Sequence, residues 1–242
     1  MALSAAASAH SIPPGGLAVV VGANGGIGRA ALEQLGSDSR YSKTLGLGRR
    51  STPPLDLQDE PSIRAAAEHI TALGIPLRLV LVTTGFLHGG GFEPEKALKQ
   101  LDPHHMAMAF AVNVIGPALL MKHLLPLLAP QGKSVFAVLS AKVGSIGDNR
   151  LGGWHSYRAS KAALNQIVRT AAIELQRRRP DAICVALHPG TVTTPLSAPF
   201  GKAGLTVQTP AESAARLLAA IDGLGAEASG GFFDRHGGAL PW

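Results

Sequence analysis

The stretch LAVVVGANGGIGRAALEQLG, residues 17–36, constrains the fold more than any other part of the chain. Leu17 to Val21 are apolar without alternation, the pattern of a strand buried on both faces. Gly22, Gly26 and Gly28 follow in a turn, and then apolar residues recur at helical spacing up to Gly36. A strand that passes into a helix through glycines leaves backbone N–H groups open at the helix start. A pyrophosphate can approach there because no Cβ blocks it. The spacing is G-x-x-x-G-x-G rather than G-x-G-x-x-G, so the strand–turn–helix context carries the reading. Asn24 and Ile27 lie in the same turn and are expected to serve the same ligand.

The rest of the chain repeats this alternation. Strands are expected at 43–49, 77–85, 133–141, 182–190 and 230–237, and helices at 59–74, 104–128, 156–178 and 210–222. A bend in the 104–128 helix is expected near Gly116 and Pro117. The pattern predicts one doubly wound, Rossmann-type α/β domain over residues 15–242. Its sheet should be mainly parallel, of about seven strands, with helices on both faces. Residues 1–14 read as a flexible lead-in. The glycine- and proline-rich stretches 85–94 and 189–210 each follow a strand end, where such folds place ligands.

Composition narrows the classes. Of the 242 residues, 46% are hydrophobic and 16% charged, which argues against global disorder. No unbroken apolar run approaches the roughly 20 residues of a membrane span, and no basic segment precedes an apolar one at the start, so neither membrane nor signal peptide is expected. The lone cysteine, Cys184, has no intrachain partner, which suits the cytoplasm. Nine histidines are scattered without a metal-ligand spacing, so no metal is expected. The net charge of +6 is dispersed except at Arg49–Arg50 and Arg177–Arg179. The second cluster ends a helix before Pro180, where cations suit the helix dipole, and no nucleic-acid partner is expected.

Four segments, GANGGIGRA (22–30), FAVNVIGP (110–117), SYRASKAALN (156–165) and LHPGTVTTPL (187–196), occur in an order that resembles the short-chain dehydrogenase/reductase family. Within it, GPALLMKHLLPLL, GSIGDNRLGGWHSYRASKAALN and FFDRHG resemble the C-factor and sniffer-type carbonyl reductase branch. The resemblance implies a nicotinamide cofactor, hydride transfer to or from a carbonyl or alcohol, and a homodimer or homotetramer built on the two long helices. The second strand ends in Gly48, Arg49 and Arg50 with no acidic residue before Asp56. Arginine accommodates a 2′-phosphate where a carboxylate would bind ribose hydroxyls, so NADP(H) is favoured over NAD(H). Asp56 resembles the family aspartate near the adenine. Thr84 and Gly85, in TTGF, stand where the family has Asn-Ala-Gly. Pro189, Gly190, Val192 and Thr193 resemble the segment that passes the nicotinamide amide.

Tyr157 and Lys161 are four residues apart, so they share one helix face. A nearby ammonium favours a phenolate, and a tyrosine so tuned can exchange a proton with a carbonyl oxygen. The resemblance makes Tyr157 the general acid/base, gives Lys161 the nicotinamide ribose, and makes Asn113 the keeper of a helix distortion. The fourth member, a serine, is displaced. Counting back from Gly144 puts Ala141 at its usual place, leaving Ser140 as the candidate and Ser145 as the alternative. The stretch 195–210 reads as a substrate lid with Leu196, Phe200, Leu205 and Val207. Phe86, Leu87 and Trp154 add to an apolar pocket, with His88 and His155 as rim or packing residues rather than catalytic ones. The displaced serine keeps a second reading open, an NADP(H)-binding regulatory protein with little or no turnover.

Overall fold

The computed structural model describes residues 11–196 and 207–242. Six strands form one parallel sheet in the order β2-β1-β3-β4-β5-β8. These are β1 (Gly16–Val21), β2 (Tyr41–Leu47), β3 (Leu77–Val82), β4 (Ser134–Leu139), β5 (Ala182–His188) and β8 (Phe232–Asp234). A separate parallel pair joins β6 (Thr191–Val192) to β7 (Val207–Gln208). The helices are α1 (Gly26–Gly36), α2 (Glu60–Ala72), α3 (Pro103–Phe110), α4 (Gly116–Leu124), α5 (His155–Arg178) and α6 (Pro210–Gly223).

Both sheet faces are covered. Leu17, Val19 and Val21 enter one core with residues of α2, α4 and α5. Ala18 and Val20 enter the other with residues of α1 and α6. That is why β1 is apolar without alternation. Chain order reverses direction at β1, with β2 on one side and β3 on the other, so a crevice opens at the C-terminal ends of β1 and β3.

The sheet has six strands where about seven were expected. Among the described residues no further strand forms beyond β2, where the chain carries Pro53 and Pro54, which have no N–H for a ladder. Leu55 and Leu57 of that stretch are nevertheless buried. Residues 1–10 of the expected lead-in lie outside the described residues. Ile12 is buried in the α1/α6 core, so the packed chain starts before residue 15.

The expected helix 104–128 is subdivided. Between α3 and α4 the turn Ala111–Ile115 is a π-helix. The distortion thus precedes the bend expected at Gly116 and Pro117. Pro117 sits in the first turn of α4, directly after the π-turn. Pro103–Leu127 is 25 residues long and apolar enough to cross a membrane by length and composition, although no unbroken run of it is. Half of its most apolar stretch is buried, with Leu120, Met121 and Leu124 in the core, which accounts for the apolarity. At the end of α5, Arg179 donates to the carbonyls of Leu128 and Pro126, so this arginine ties the helix end to a loop. Cys184, mid-β5, is fully buried, and burial pushes its thiol up to about 12.

Candidate active site

The glycine turn is shaped by contacts that forbid side chains. Gly22 has φ +87°, and a Cβ there would lie 2.8 Å from the Thr83 hydroxyl oxygen. A Cβ on Gly28 would lie 2.2 Å from the Gly22 carbonyl, which lets the first turn of α1 rest directly on the end of β1. The residue before α1, Gly25, offers no side-chain cap, and the first turn has no acidic residue. Its N–H groups are therefore open to an anion. Ile27 is half-buried in this turn.

Other segments converge on it. The side chain of Asn24 lies against Gly48 at the end of β2, 3.3 Å from a Cβ built there. Arg49 and Arg50 follow, both exposed. Thr84, after β3, has a buried hydroxyl without a hydrogen-bond partner among the described residues. From the far side, the methyl of Thr194 lies 3.2 Å from a Cβ built on Gly26. Gly190 has φ +78° and is pressed by Gln208 and Arg235, while the Pro189 carbonyl accepts from Gln208 and Ser213. Val192 is buried, and Thr193 N–H donates to the Gln208 carbonyl. Asp56 caps its own turn by accepting from Gln58 N–H. An open backbone cradle, a buried unpaired hydroxyl and exposed arginines match the needs of a phosphorylated dinucleotide.

Asn113 and Lys161 meet beside Gly85, and Tyr157 lies next to Lys161. A Cβ at Gly85 would be 3.8 Å from both the Asn113 amide oxygen and Lys161 Nζ. Asn113 sits in the π-turn. Its amide oxygen accepts from Phe86 N–H, and its Nδ2 donates to the Phe86 carbonyl and to Ser160 Oγ. Lys161 Nζ donates to the Leu139 carbonyl at 2.9 Å and lies 5.7 Å from the centre of the Tyr157 ring. Burial lowers the lysine to about 7 and raises the Tyr157 phenol to about 12. Desolvation sets the phenol in this arrangement, and the expected downward pull of Lys161 is not seen. The tyrosine hydroxyl has no hydrogen-bond partner among the described residues.

The serines divide. Ser140 is buried and donates to Asn165 Oδ1 at 2.6 Å. Asn165 lies eight residues beyond Tyr157 on α5, about 12 Å along the helix, so the structure does not bring Ser140 to the tyrosine. Ser145 follows Gly144, whose backbone presses on Lys161, with a built Cβ only 2.7 Å from the Lys161 Cβ. Ser145 Oγ accepts from Asp148 N–H. Ala141, between the serines, is buried. On the apolar side, Trp154 and Tyr157 meet edge to face at 6.2 Å, Leu87 is buried and His88 Nε2 lies 3.1 Å from the Leu196 carbonyl. Phe200 and Leu205 lie outside the described residues.

Three residues near the site were not anticipated. His188, at the end of β5, is driven down to about 4 by burial and by the cations Arg235 and Lys142. Asn165 has its buried Nδ2 unpaired. Glu95 and its partners are the third case. Glu95 is 2% exposed and accepts from Ser156 Oγ and, at 3.3 Å, from Ser156 N–H. His105 Nδ1 is 3.4 Å away. The His105 ring stacks on Phe92 at 5.1 Å and meets Phe86 edge-on at 5.8 Å. Burial alone would raise the Glu95 carboxyl, but Ser156, backbone donors and His105 together hold it below its ordinary value.

A family model described as enoyl-(acyl carrier protein) reductase matches residues 23–222. The dehydrogenase of 1-hydroxy-2-glutathionyl-2-methyl-3-butene from Rhodococcus sp. (strain AD45) is 31% identical over 234 residues, covering 93% of this chain and 98% of that protein. C-signal of Myxococcus xanthus is 38% identical over 147 residues, 60% of this chain and 84% of that protein. Among solved structures, NADPH-bound carbonyl reductase from chicken fatty liver superposes with a TM-score of 0.83 at 26% identity, over 98% of this chain and 97% of that one. Carbonyl reductase Sniffer of D. melanogaster, at 22% identity and a TM-score of 0.80, covers 95% of this chain and 100% of its own and shares the fold.

Proposed function

The chain belongs to the short-chain dehydrogenase/reductase family, and on that premise we propose that it transfers hydride between NADP(H) and a carbonyl or alcohol, with Tyr157 exchanging the proton. The observation that carries this reading is Tyr157 and Lys161 one helical turn apart on α5, with Lys161 Nζ 5.7 Å from the Tyr157 ring centre and beside Gly85.

When bound, the nicotinamide supplies or takes up the hydride. The chain's own residues do the rest. Gly22, Gly26 and Gly28 give the pyrophosphate an approach to the backbone, with Asn24 and Ile27 beside it, and Thr84 Oγ1 has a free donor for the same ligand. Arg49 and Arg50 offer planar, exposed guanidinium groups to a 2′-phosphate. Lys161 and Gly85, with Pro189 to Thr193, would border the nicotinamide end. At physiological pH the Tyr157 hydroxyl keeps its proton and can give it from Oη to a carbonyl oxygen as negative charge develops there. Of the serines, Ser145 is the better placed to orient that oxygen, because Gly144 holds its segment against Lys161. The buried lone cysteine is consistent with a cytoplasmic setting.

Purified protein supplied with NADPH and a panel of aldehydes, ketones and quinones should consume NADPH faster than NADH. Tyr157→Phe should lower kcat by about 100-fold or more with the Kd for NADPH changed less than threefold. A phenylalanine variant as fast as wild type would overturn the mechanism. The regulatory reading is favoured by one observation, the turn of Ser140 toward Asn165 with Ala141 at the usual serine place. Tight NADPH binding without turnover on any member of the panel would support it instead.

A further inference from the structure

Helix α5 starts without a cap of its own. Trp154 precedes it in the left-handed region at φ +54° and gives no side-chain cap. The first N–H groups of a helix have no partner within it and need one from outside. Most helices take it from a Ser, Thr, Asp or Asn at the cap position. Here Glu95 supplies it from a loop 61 positions upstream. Its carboxylate accepts from both the N–H and the hydroxyl of Ser156, and its carbonyl accepts from Trp154 N–H at 2.5 Å. Negative charge at this helix end also meets the positive end of the helix dipole. A carboxylate this buried persists only when its donors are fixed.

The partners of α5 fall into two rows. Ser156 and Ser160 are one turn apart, and each immediately precedes a residue of the site, Tyr157 and Lys161. Ser160 is tied to the π-turn by Asn113 Nδ2. Ser156 is tied to Glu95. Lys161 has a further anchor of its own in the Leu139 carbonyl, whereas the Tyr157 hydroxyl has none among the described residues. Tyr157 therefore depends on the first turn of α5 for its place; Arg158 ties that turn to the carbonyls of Val143, Gly152 and Gly153, and Glu95 supplies its N-terminal cap.

We infer that Glu95 is a positioning residue for Tyr157: by capping α5 from the 85–95 loop it fixes the first turn of the helix, and through His105 it couples that turn to Phe86 and Phe92. The inference rests on the reading of Tyr157 as the proton donor. Removing the cap should let residues 155–158 fray while Lys161, held by the Leu139 carbonyl and preceded by Ser160, which Asn113 ties down, stays in place. Proton transfer should suffer and cofactor binding should not.

The test uses the full chain with Glu95→Ala, Glu95→Gln and Ser156→Ala, NADPH, and 4-nitrobenzaldehyde as substrate probe. Glu95→Ala should lower kcat about tenfold or more, since misplacement of about 1 Å can cost 100-fold, with the Kd for NADPH within twofold. Amide exchange should accelerate at residues 155–158 and not over the remainder of α5. Glu95→Gln, which keeps an acceptor oxygen for Ser156, should recover most of the rate. An unchanged kcat in Glu95→Ala, or faster exchange spread evenly along α5 with loss of NADPH binding, would overturn the inference. If Glu95→Ala does not fold, Ser156→Ala decides the matter, because kcat must then fall several-fold at unchanged NADPH affinity. Absence of turnover in the wild-type protein would instead sink the catalytic reading. The exchange pattern and the titration of Tyr157 in the variants would still judge the role of Glu95.

Discussion

Lys161 places an amine that is 2% exposed against a single backbone carbonyl. Its folded value of about 7 lies below the ordinary lysine value of about 10.4. Between those two values the unfolded chain binds a proton that the folded chain does not. Stability should therefore rise as pH increases through this window, and the burial penalty is complete below pH 7. Lys161→Met should accordingly raise the melting temperature most at pH 6 to 7, by on the order of 1–3 kcal/mol of stability, with the gain fading toward pH 10. Thermal melts of both proteins across that range check this, and a gain that grows with pH would contradict it. The Tyr157 phenol has the opposite bias, since burial keeps it protonated, which favours proton donation in the reductive direction. That Tyr157 and Lys161 share a face was legible because both lie on one helix and the spacing is local. The role of Glu95 was not, because its meaning depends on a partner 61 residues away and nothing in FEPEK distinguishes one loop glutamate from another. Ser140 misled for a related reason. Its neighbour along the chain was visible, but the Asn165 amide that takes its hydroxyl belongs to a different element.

At the scale of elements, the β1–α1 turn was the best-read part of the chain. Gly22 and Gly28 answer steric demands set within the turn or by the residue after the adjacent strand, whereas Gly26 is pressed from afar by Thr194 and Pro210. Gly28→Ala tests the tightest of them. The added Cβ would meet the Gly22 carbonyl at 2.2 Å and the Thr83 hydroxyl at 2.6 Å, and both are held by hydrogen bonds or backbone. The variant should lose about 2 kcal/mol or more of stability, in the range for overpacked sites, and bind NADPH at least tenfold more weakly. Denaturant titration and a fluorescence binding assay measure both, and a variant with wild-type values would remove the close-packing argument. The helix break between α3 and α4 was only half legible. Proline and glycine pointed to 116–117, whereas the resemblance put a distortion at Asn113, and the backbone departs from α-geometry at 111–115, around that residue. There Asn113 directs its amide at both backbone groups of Phe86, a bond pattern no local signal announces. Gly144 gave no such signal either, because the atoms that exclude a side chain there belong to α5.

For the whole molecule, alternation of apolar strands and helices was enough to give the layered parallel arrangement, since both sheet faces must be buried by the same crossovers. The count of edge strands was less legible, because an edge depends on few residues and two prolines suffice to prevent it. The exterior of α4 and α5 raises a further expectation. A groove of about 430 Å³ runs between them, bordered by Ala118, Met121, Leu125, Ile167 and Ala171, and Ile115 and Ile173 stand exposed nearby on the same face-forming segments. Sedimentation at micromolar concentration should show a dimer or tetramer, and Ile167→Asp should shift it toward monomer while NADPH binding persists. A wild-type monomer would end that proposal. The placement of Cys184 also has a practical consequence. The only sulfhydryl of the chain lies at full depth in the sheet with its proton held tightly. Maleimides and other thiol-seeking dyes should pass the folded protein by. A single cysteine introduced at the start of α5 or in the 85–95 loop would then carry the sole fluorophore or spin label, with no native residue to remove first.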